Sequence, residues 1–123
     1  MEPPRHAVES PSATFIVSHY KQPQVSEVNT AGQVLRQFSG SRLSSLGFTQ
    51  HIAVDSRGNI FVADQYNDRI LLLDAQLALR CVIIDEHELN DKSPYRLCYK
   101  EQSGQLMVGF VGGVVAVFDV LKR

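Results

Sequence analysis

A repeat with a period of about 45 residues constrains the fold of this chain more than any other feature of its sequence. Three similar apolar runs are centred on valines spaced by 45 and 46 residues: Val17, Val62 and Val108. Polar residues that follow similar runs are spaced by 45 residues both times: Asn29, Asp74 and Asp119. Because two independent markers share one period, the sequence predicts three copies of one structural unit.

The three units span about residues 5–39, 51–85 and 96–120. Residues 1–4 are predicted to be disordered, and residues 5–123 to form the repeat domain. Each unit contains short runs of Ile, Val, Leu and Phe separated by Gly, Asn and Asp, a pattern typical of antiparallel strands joined by tight turns. The middle unit has four predicted strands: Ile52–Val54, Asn59–Ala63, Arg69–Asp74 and Arg80–Ile84.

A four-stranded meander that repeats at this period is the sequence signature of a β-propeller blade. The runs Ile60–Ala63 and Ile70–Leu73 are apolar at consecutive positions, so both faces of their sheet are predicted to be buried. Blades that pack face to face bury their sheets in this way. The predicted fold is therefore all-β, a partial propeller of about two and a half to three four-stranded antiparallel blades, because closed propellers need about four to eight.

Composition and charge exclude several classes of protein. The chain is 44% hydrophobic with a formal net charge of −1, so charge provides no argument for nucleic acid or membrane as partner. No apolar run approaches the ~20 residues of a membrane helix, and the first ten residues lack the apolar core of a signal peptide. Cys81 and Cys98 are too few for a disulfide framework and are predicted to be reduced and buried. These features together predict a cytoplasmic protein.

The middle unit, AVDSRGNIFVADQYNDRILLLD, resembles the NHL repeat. It contains the parts of that pattern in order: Val54-Asp55, Gly58-Asn59, Val62-Ala63-Asp64 and Asn67-Asp68-Arg69-Ile70. Ser18 and Gly109 stand at the positions that correspond to Asp64, so the outer units depart from the pattern. Their sequences are nevertheless similar to the C-terminal propeller of tripartite-motif proteins with NHL repeats. The resemblance implies a six-bladed ring that binds protein or RNA partners.

Catalytic chemistry is not predicted. The resemblance implies full-length relatives that act as ubiquitin ligases through a RING, but two cysteines cannot supply the zinc sites of a RING. His6 and His51 open equivalent strands near the channel without metal-ligand spacing, and no serine lies in a GxSxG motif. We predict no enzyme activity, no metal site and no cofactor. A propeller hydrolase or lyase is the least favoured alternative, since only these two histidines approach a catalytic cluster.

The candidate binding site lies on the face that carries the loops between second and third strands, together with the longer links between blades. Long loops carry function more often than tight turns. Six residues of this face are predicted to contact a partner: Tyr20, Lys21, Arg42, Gln65, Tyr66 and Asn67. Tyr20 and Tyr66 hold equivalent positions, where an exposed ring can anchor an interface or stack on a base. The alternative is that both rings only cover the edge of a blade.

Asp64 and Arg69 flank the second turn of the middle unit, where an antiparallel hairpin places them opposite each other. They form either a recognition pair or a structural clamp for the turn, and we predict the clamp. Lys21, Arg42 and Arg69 would form a basic strip for RNA. The acidic link at residues 85–91 lies on the same face and would oppose phosphate, so RNA is the weaker candidate.

The predicted function is that of a non-catalytic propeller scaffold that binds a protein or peptide. The main alternative is the substrate- or RNA-recognition part of an E3 ubiquitin ligase of the tripartite-motif type. No membrane partner is expected. An open arc leaves two apolar blade faces exposed, and such faces promote association. We therefore expect the C-terminal part of a larger ring or a relic of one, and we predict that the chain associates through these faces, either as a homo-oligomer with a second copy that completes six blades or by aggregation.

Overall fold

A computed structural model describes residues 4–19, 24–41, 44–45 and 49–121 of the protein. Within these residues, antiparallel strands form three large sheets and one small hairpin. In each large sheet the strands pair in chain order, so every sheet is a meander. The all-β architecture of successive blade-like sheets agrees with the prediction from the repeat.

The first two sheets have four strands each and the third has three. The first contains β1 (Pro4–Glu9), β2 (Phe15–His19), β3 (Val25–Val28) and β4 (Val34–Phe38). A hairpin of β5 (Gly40–Ser41) and β6 (Ser44–Ser45) follows. The second sheet contains β7 (Thr49–Val54), β8 (Ile60–Asp64), β9 (Arg69–Leu73) and β10 (Leu79–Ile84). The third contains β11 (Pro94–Lys100), β12 (Gln105–Phe110) and β13 (Val115–Asp119).

The predicted units correspond to these sheets, with small differences at their ends. The second and third sheets begin about two residues earlier than the predicted units, at Thr49 and Pro94. Of the segment predicted to be disordered, residues 1–3 lie outside the described residues, and β1 begins at Pro4. The hairpin of β5 and β6 occupies part of what the sequence indicated only as a link.

Two hydrophobic cores hold the three blades together, one on each side of the second sheet. The core against the first sheet contains Ile16, Val25, Phe38, Ile52, Ile60, Val62, Leu71 and Leu73. The core against the third sheet contains Phe61, Ala63, Ile70, Leu97, Leu106, Val108 and Phe110. Successive side chains of a strand point to opposite faces, so consecutive apolar residues in β8 serve both cores. Every residue of β8 is buried, as the unbroken apolar run predicted.

The prediction that both cysteines are buried is wrong, since Cys81 and Cys98 are exposed. Cys81 lies on β10, the last strand of its sheet. Cys98 lies on the face of the third sheet that points away from the second sheet. The corresponding residue of the second sheet, Ala53, belongs to the core against the third sheet. The apolar runs around the cysteines predicted strand correctly, but burial depends on a covering blade.

The turn between β7 and β8 depends on a glycine and an aspartate. Gly58 has a φ of +87°, a conformation that side chains with a Cβ rarely adopt. The Asp55 carboxylate accepts hydrogen bonds from the backbone N–H groups of Arg57 and Asn59, at 2.9 Å each. These contacts fix the backbone where the chain reverses direction.

Replacing Gly58 with alanine is expected to lower the free energy of unfolding by about 1 kcal/mol. The new Cβ would lie 3.1 Å from the Cβ of Ala75, in addition to the strain of the positive φ. Gly32→Ala is a matched control, because Gly32 has a φ of +81° and a Cβ added there would have no atom within 4 Å. Urea denaturation should therefore show a larger loss for Gly58→Ala. Equal losses in the two variants would contradict a contribution from the Ala75 contact.

Candidate functional site

The hairpin between β8 and β9 brings two opposite charges into contact. Asp64 and Arg69 are cross-strand partners, and the Arg69 Nε donates a hydrogen bond to the Asp64 Oδ2 at 2.7 Å. The Asp64 side chain is fully buried and that of Arg69 is 17% exposed. Both partners are thus largely withdrawn from solvent, a geometry in which a carboxylate and a guanidinium depend strongly on each other.

The turn between these strands is held by further hydrogen bonds. Residues Gln65–Asn67 form one turn of 3₁₀ helix. The Asn67 side-chain amide donates to the Asp64 Oδ2 at 2.9 Å. Asp68 ends the turn in the left-handed conformation, and its carboxylate accepts a hydrogen bond from the Ser93 hydroxyl at 2.8 Å. The Asp64 carboxylate therefore links the end of β8, the turn and the start of β9.

Tyr66 projects from this turn and is 75% exposed, the largest exposure among the large hydrophobic side chains described. Gln65 and Asn67 flank it and are half-buried. These three predicted contact residues are therefore together on one turn. The other three, Tyr20, Lys21 and Arg42, lie outside the described residues. Of the proposed basic strip the structure describes only Arg69, whose guanidinium contacts Asp64.

A cleft of about 380 Å³ lies beside the turn. Asn67 and Arg69 line one part of it, and the other lining residues are Val82, Asp85, Glu86 and His87. The acidic link is thus adjacent to the predicted contact turn, as the connectivity of the blades indicated. Two exposed carboxylates outweigh one guanidinium that already contacts a carboxylate. The cleft therefore favours a positively charged group over a phosphate.

A second polar feature lies where the first strands of the three sheets meet. The rings of His6 and His51 are stacked, with centroids 3.7 Å apart and an interplanar angle of 23°. The backbone N–H of Ile52 donates to the Nδ1 of His6 at 3.2 Å. The backbone N–H of Leu97 donates to the Nδ1 of His51 at 3.0 Å. Each histidine thus accepts a hydrogen bond from the first strand of the next blade, and we call this arrangement the histidine ladder.

Arg96 occupies the third position of the series, 45 residues after His51, which is itself 45 residues after His6. Burial, followed by the charge of Arg96, lowers the pKa of His6. Burial, followed by the effects of His6 and Arg96, lowers the pKa of His51 from 6.5 to about 4. Both rings are therefore neutral at pH 7. The sequence prediction included the two histidines but missed Arg96, although the 45-residue period indicated its position.

In the histidine ladder, both rings act as hydrogen-bond acceptors through Nδ1. Because Nδ1 accepts a backbone N–H in each ring, the neutral tautomer must have its proton on Nε2. Neither nitrogen is then available to take a proton from a substrate without breaking a contact between blades. Among the described residues, no group of three or more His, Cys, Asp or Glu side chains has the geometry to hold a metal ion.

Comparison with known proteins shows similarity in structure but no match in sequence. No protein-family model and no curated protein matches the sequence. The hydrazine synthase of Kuenenia stuttgartiensis matches 99% of this chain and 35% of its own, with 16% identity and a TM-score of 0.75. A streptogramin B lyase matches 94% of this chain and 40% of its own, at 14% identity and a TM-score of 0.65. The virginiamycin B lyase of Staphylococcus aureus matches 94% and 41%, at 12% identity and a TM-score of 0.62.

Identities this low establish the fold alone, and these neighbours have β-propeller-type folds. The chain is therefore a β-propeller-type protein. It spans between about a third and two fifths of the length of these neighbours. The part of the chain that the structure describes contains no helix of the length and apolarity needed to cross a membrane.

Proposed function

We propose that this chain is a non-catalytic binding module that takes a protein or peptide on the face carrying Gln65–Asn67. The observation that supports this proposal is the exposure of Tyr66, 75%, on a turn whose two ends are held through the buried Asp64 carboxylate. An aromatic ring on a well-ordered support is favourable for binding, because little freedom is lost when a partner covers it. A cytoplasmic location belongs to the same proposal.

The cleft beside Tyr66 suggests the chemistry of the partner. Asp85 and Glu86 line it together with Arg69, and the guanidinium of Arg69 contacts Asp64. A peptide with a lysine or arginine beside an apolar residue would fit this arrangement, with the cation near the carboxylates and the apolar side chain against Tyr66. A phosphate backbone would be repelled by the same carboxylates, so RNA remains the weaker candidate.

The NHL-like pattern of the middle unit supports a narrower version of this proposal. A propeller of this kind would serve as the recognition part of a tripartite-motif-type E3 ubiquitin ligase, with the ligase chemistry supplied by a RING elsewhere. A hydrolase or lyase activity has less support, even though two of the structural neighbours are lyases. The reason is that the Nδ1 atoms of His6 and His51 accept backbone hydrogen bonds and are not poised as bases.

Replacing Tyr66 with alanine is expected to weaken the binding of a peptide ligand at least tenfold, about 1.4 kcal/mol, because the exposed ring would be the anchor of the interface. Ligands are first selected on the wild-type protein from a displayed library of random peptides. Their affinities for each variant are then measured by fluorescence anisotropy. Selected peptides should be enriched in Lys and Arg, and Tyr66→Phe should retain most of the affinity.

Gln76→Ala is the control for this experiment, because Gln76 is exposed in the turn between β9 and β10, on the opposite face. Its affinity should equal that of the wild-type protein. Equal affinities for Tyr66→Ala and Gln76→Ala would refute the proposed binding face. A labelled pool of random single-stranded RNA is tested in parallel. Salt-sensitive RNA binding that is lost in Tyr66→Ala would support the RNA alternative instead of the peptide.

A further inference from the structure

The third blade has one buried face and one exposed face, which is mostly apolar and carries Arg96 beside Gly109. In β12, Leu106 and Val108 are fully buried against the second blade, whereas Met107 between them is 41% exposed. In β13, Val115 and Val117 are each 59% exposed. We call the face formed by Cys98, Met107, Gly109, Val115 and Val117 the C-terminal open face.

The C-terminal open face has a covered counterpart in the second blade. Shifted back by 45 or 46 residues, its positions correspond to Ala53, Phe61, Ala63, Ile70 and Leu72, so Gly109 matches Ala63 and not Asp64 as the sequence pattern indicated. The first four of these are buried in the core against the third blade, and Leu72 packs against that core. The open face therefore repeats the chemistry of a surface that, one blade earlier, is covered by another blade.

The C-terminal open face also has the shape of a docking surface. A groove of about 670 Å³ lies on it and continues to the loop between β12 and β13. Its lining is mostly apolar and includes Tyr95, Met107, Phe110, Val111, Val114 and Val115. Val111 and Val114 are 61% and 52% exposed, so the groove opens to solvent along its length.

The first blade has an open face of the complementary type. Its positions Ala7, Phe15, Val17 and Val28 correspond, at a spacing of 45 residues, to Ile52, Ile60, Val62 and Leu73 of the second blade. Those four residues form the side of the second blade that is buried against the first. On the first blade, Phe15 is 42% exposed and Ala7 is also exposed. We call this surface the N-terminal open face.

We propose that a second copy of this chain covers these surfaces head to tail, with the C-terminal open face of one copy against the N-terminal open face of the other. Each contact would join the same two types of face as the internal blade interfaces, with Arg96 in the position where His6 and His51 accept a hydrogen bond from the next blade. A head-to-tail contact either forms an open polymer or closes. Two copies of the three described blades would give six, within the four to eight of closed propellers, so the assembly that we propose is a closed dimer.

The mass in solution tests this proposal directly. Light scattering coupled to size-exclusion chromatography should give twice the chain mass of 13.7 kDa over a range of micromolar concentrations. Val117→Lys should convert the protein to a monomer, since it puts a charge on the C-terminal open face beside Met107. Gln76→Lys is the matched control, which adds the same charge at an exposed turn and should remain a dimer. A monomeric wild-type protein, or mass that grows without limit, would overturn the proposal.

Mixing two variants distinguishes a head-to-tail contact from a symmetric one. Phe15→Lys damages the N-terminal open face and should also be monomeric alone. In a mixture of the two variants, the intact C-terminal open face of Phe15→Lys can pack against the intact N-terminal open face of Val117→Lys. A heterodimer should therefore form. Circular dichroism verifies that each variant is folded. If the folded variants stay monomeric when mixed, or if either one dimerises alone, the head-to-tail arrangement is wrong.

The cysteines give a second measurement on the unmodified protein. Cys98 belongs to the C-terminal open face, whereas Cys81 is exposed on β10 of the second sheet. The rate of maleimide labelling at Cys98 should fall at least several-fold as the protein concentration rises, while Cys81 should react at a constant rate. In Val117→Lys, Cys98 should react fast at every concentration. If the labelling rate of Cys98 in the wild-type protein does not change with protein concentration, a dimer through this face is contradicted.

Discussion

Replacing Asp64 with alanine is expected to lower the free energy of unfolding by about 3 kcal/mol. The buried carboxylate accepts hydrogen bonds from the Arg69 Nε at 2.7 Å and from the Asn67 side chain at 2.9 Å. Its removal withdraws the countercharge from a guanidinium that is only 17% exposed. The cost of leaving a charge in such surroundings exceeds the loss of one ordinary hydrogen bond. Urea denaturation at pH 7 measures the change.

Two further variants show whether charge or shape is responsible. Asp64→Asn keeps an oxygen acceptor and nearly the same volume, so it should lose less stability than Asp64→Ala. Arg36→Ala removes the cation of the other described ion pair, Glu27 with Arg36, whose arginine side chain is 45% exposed. This loss should be comparable to that of Asp64→Ala, because the Glu27 carboxylate that is left without its cation is only 6% exposed. If Asp64→Ala costs only about 1 kcal/mol, as the loss of one ordinary hydrogen bond would, Asp64 does not act as a structural clamp.

Acidification from pH 7 to pH 4 is expected to lower the free energy of unfolding by about 2 kcal/mol through the histidine ladder. The folded structure lowers the pKa of His51 from 6.5 to about 4 and lowers that of His6 as well. The unfolded chain therefore takes up protons first as the pH falls. This stabilisation is fully present above pH 6.5 and is lost as the pH falls towards 4.

The size of this effect follows from the shift at His51. A fall in pKa from 6.5 to about 4 corresponds to roughly 3 kcal/mol if it is fully expressed. Because both rings are only half-buried, solvent screening reduces the contribution of each, and about 2 kcal/mol is expected for the pair. Protonation at Nδ1 would also break the hydrogen bonds from Ile52 and Leu97.

The double variant His6→Gln with His51→Gln isolates the contribution of the histidine ladder from that of the other titratable groups. Glutamine retains an oxygen acceptor but does not titrate. The difference in the free energy of unfolding between wild type and variant should therefore change between pH 7 and pH 4. Removing the positive charge with Arg96→Gln should raise the pKa of both histidines, as measured by NMR titration. Parallel stability curves for wild type and double variant would exclude this role for the ladder.

The sequence was sufficient to predict the blades because local chemistry determines their strands. Each run of apolar residues is terminated by residues that form turns, such as Asp55 and Gly58, and the observed strand limits differ by about one to three residues. The contact between Asp64 and Arg69 follows in the same way, since a tight hairpin fixes which residues face each other. Such features depend on neighbours in sequence.

Features that depend on a neighbouring blade were harder to predict. Cys98 lies in an apolar run of the sequence but is exposed in the structure, because no blade among the described residues covers its face. The cleft beside Tyr66 requires the β8–β9 turn and the link that follows β10 to come together. The sequence around Arg96 contains no motif that marks it as functional. The packing of the first strands against each other brings it near His6 and His51. Alternation within a strand does not predict which blade, if any, packs against it.

The histidine ladder has a direction, and this has a consequence for the engineering of longer repeat arrays. His6 and His51 each offer a lone pair to the next blade, but a guanidinium has only donors and can offer none. Arg96 therefore ends the series of acceptors at the third blade. The blade that follows the third one, whether it is appended to the chain or supplied by a second copy, would therefore lack the hydrogen-bond acceptor that His6 and His51 provide. In a longer designed array, Arg96→His would restore this acceptor at the junction between the third and fourth blades.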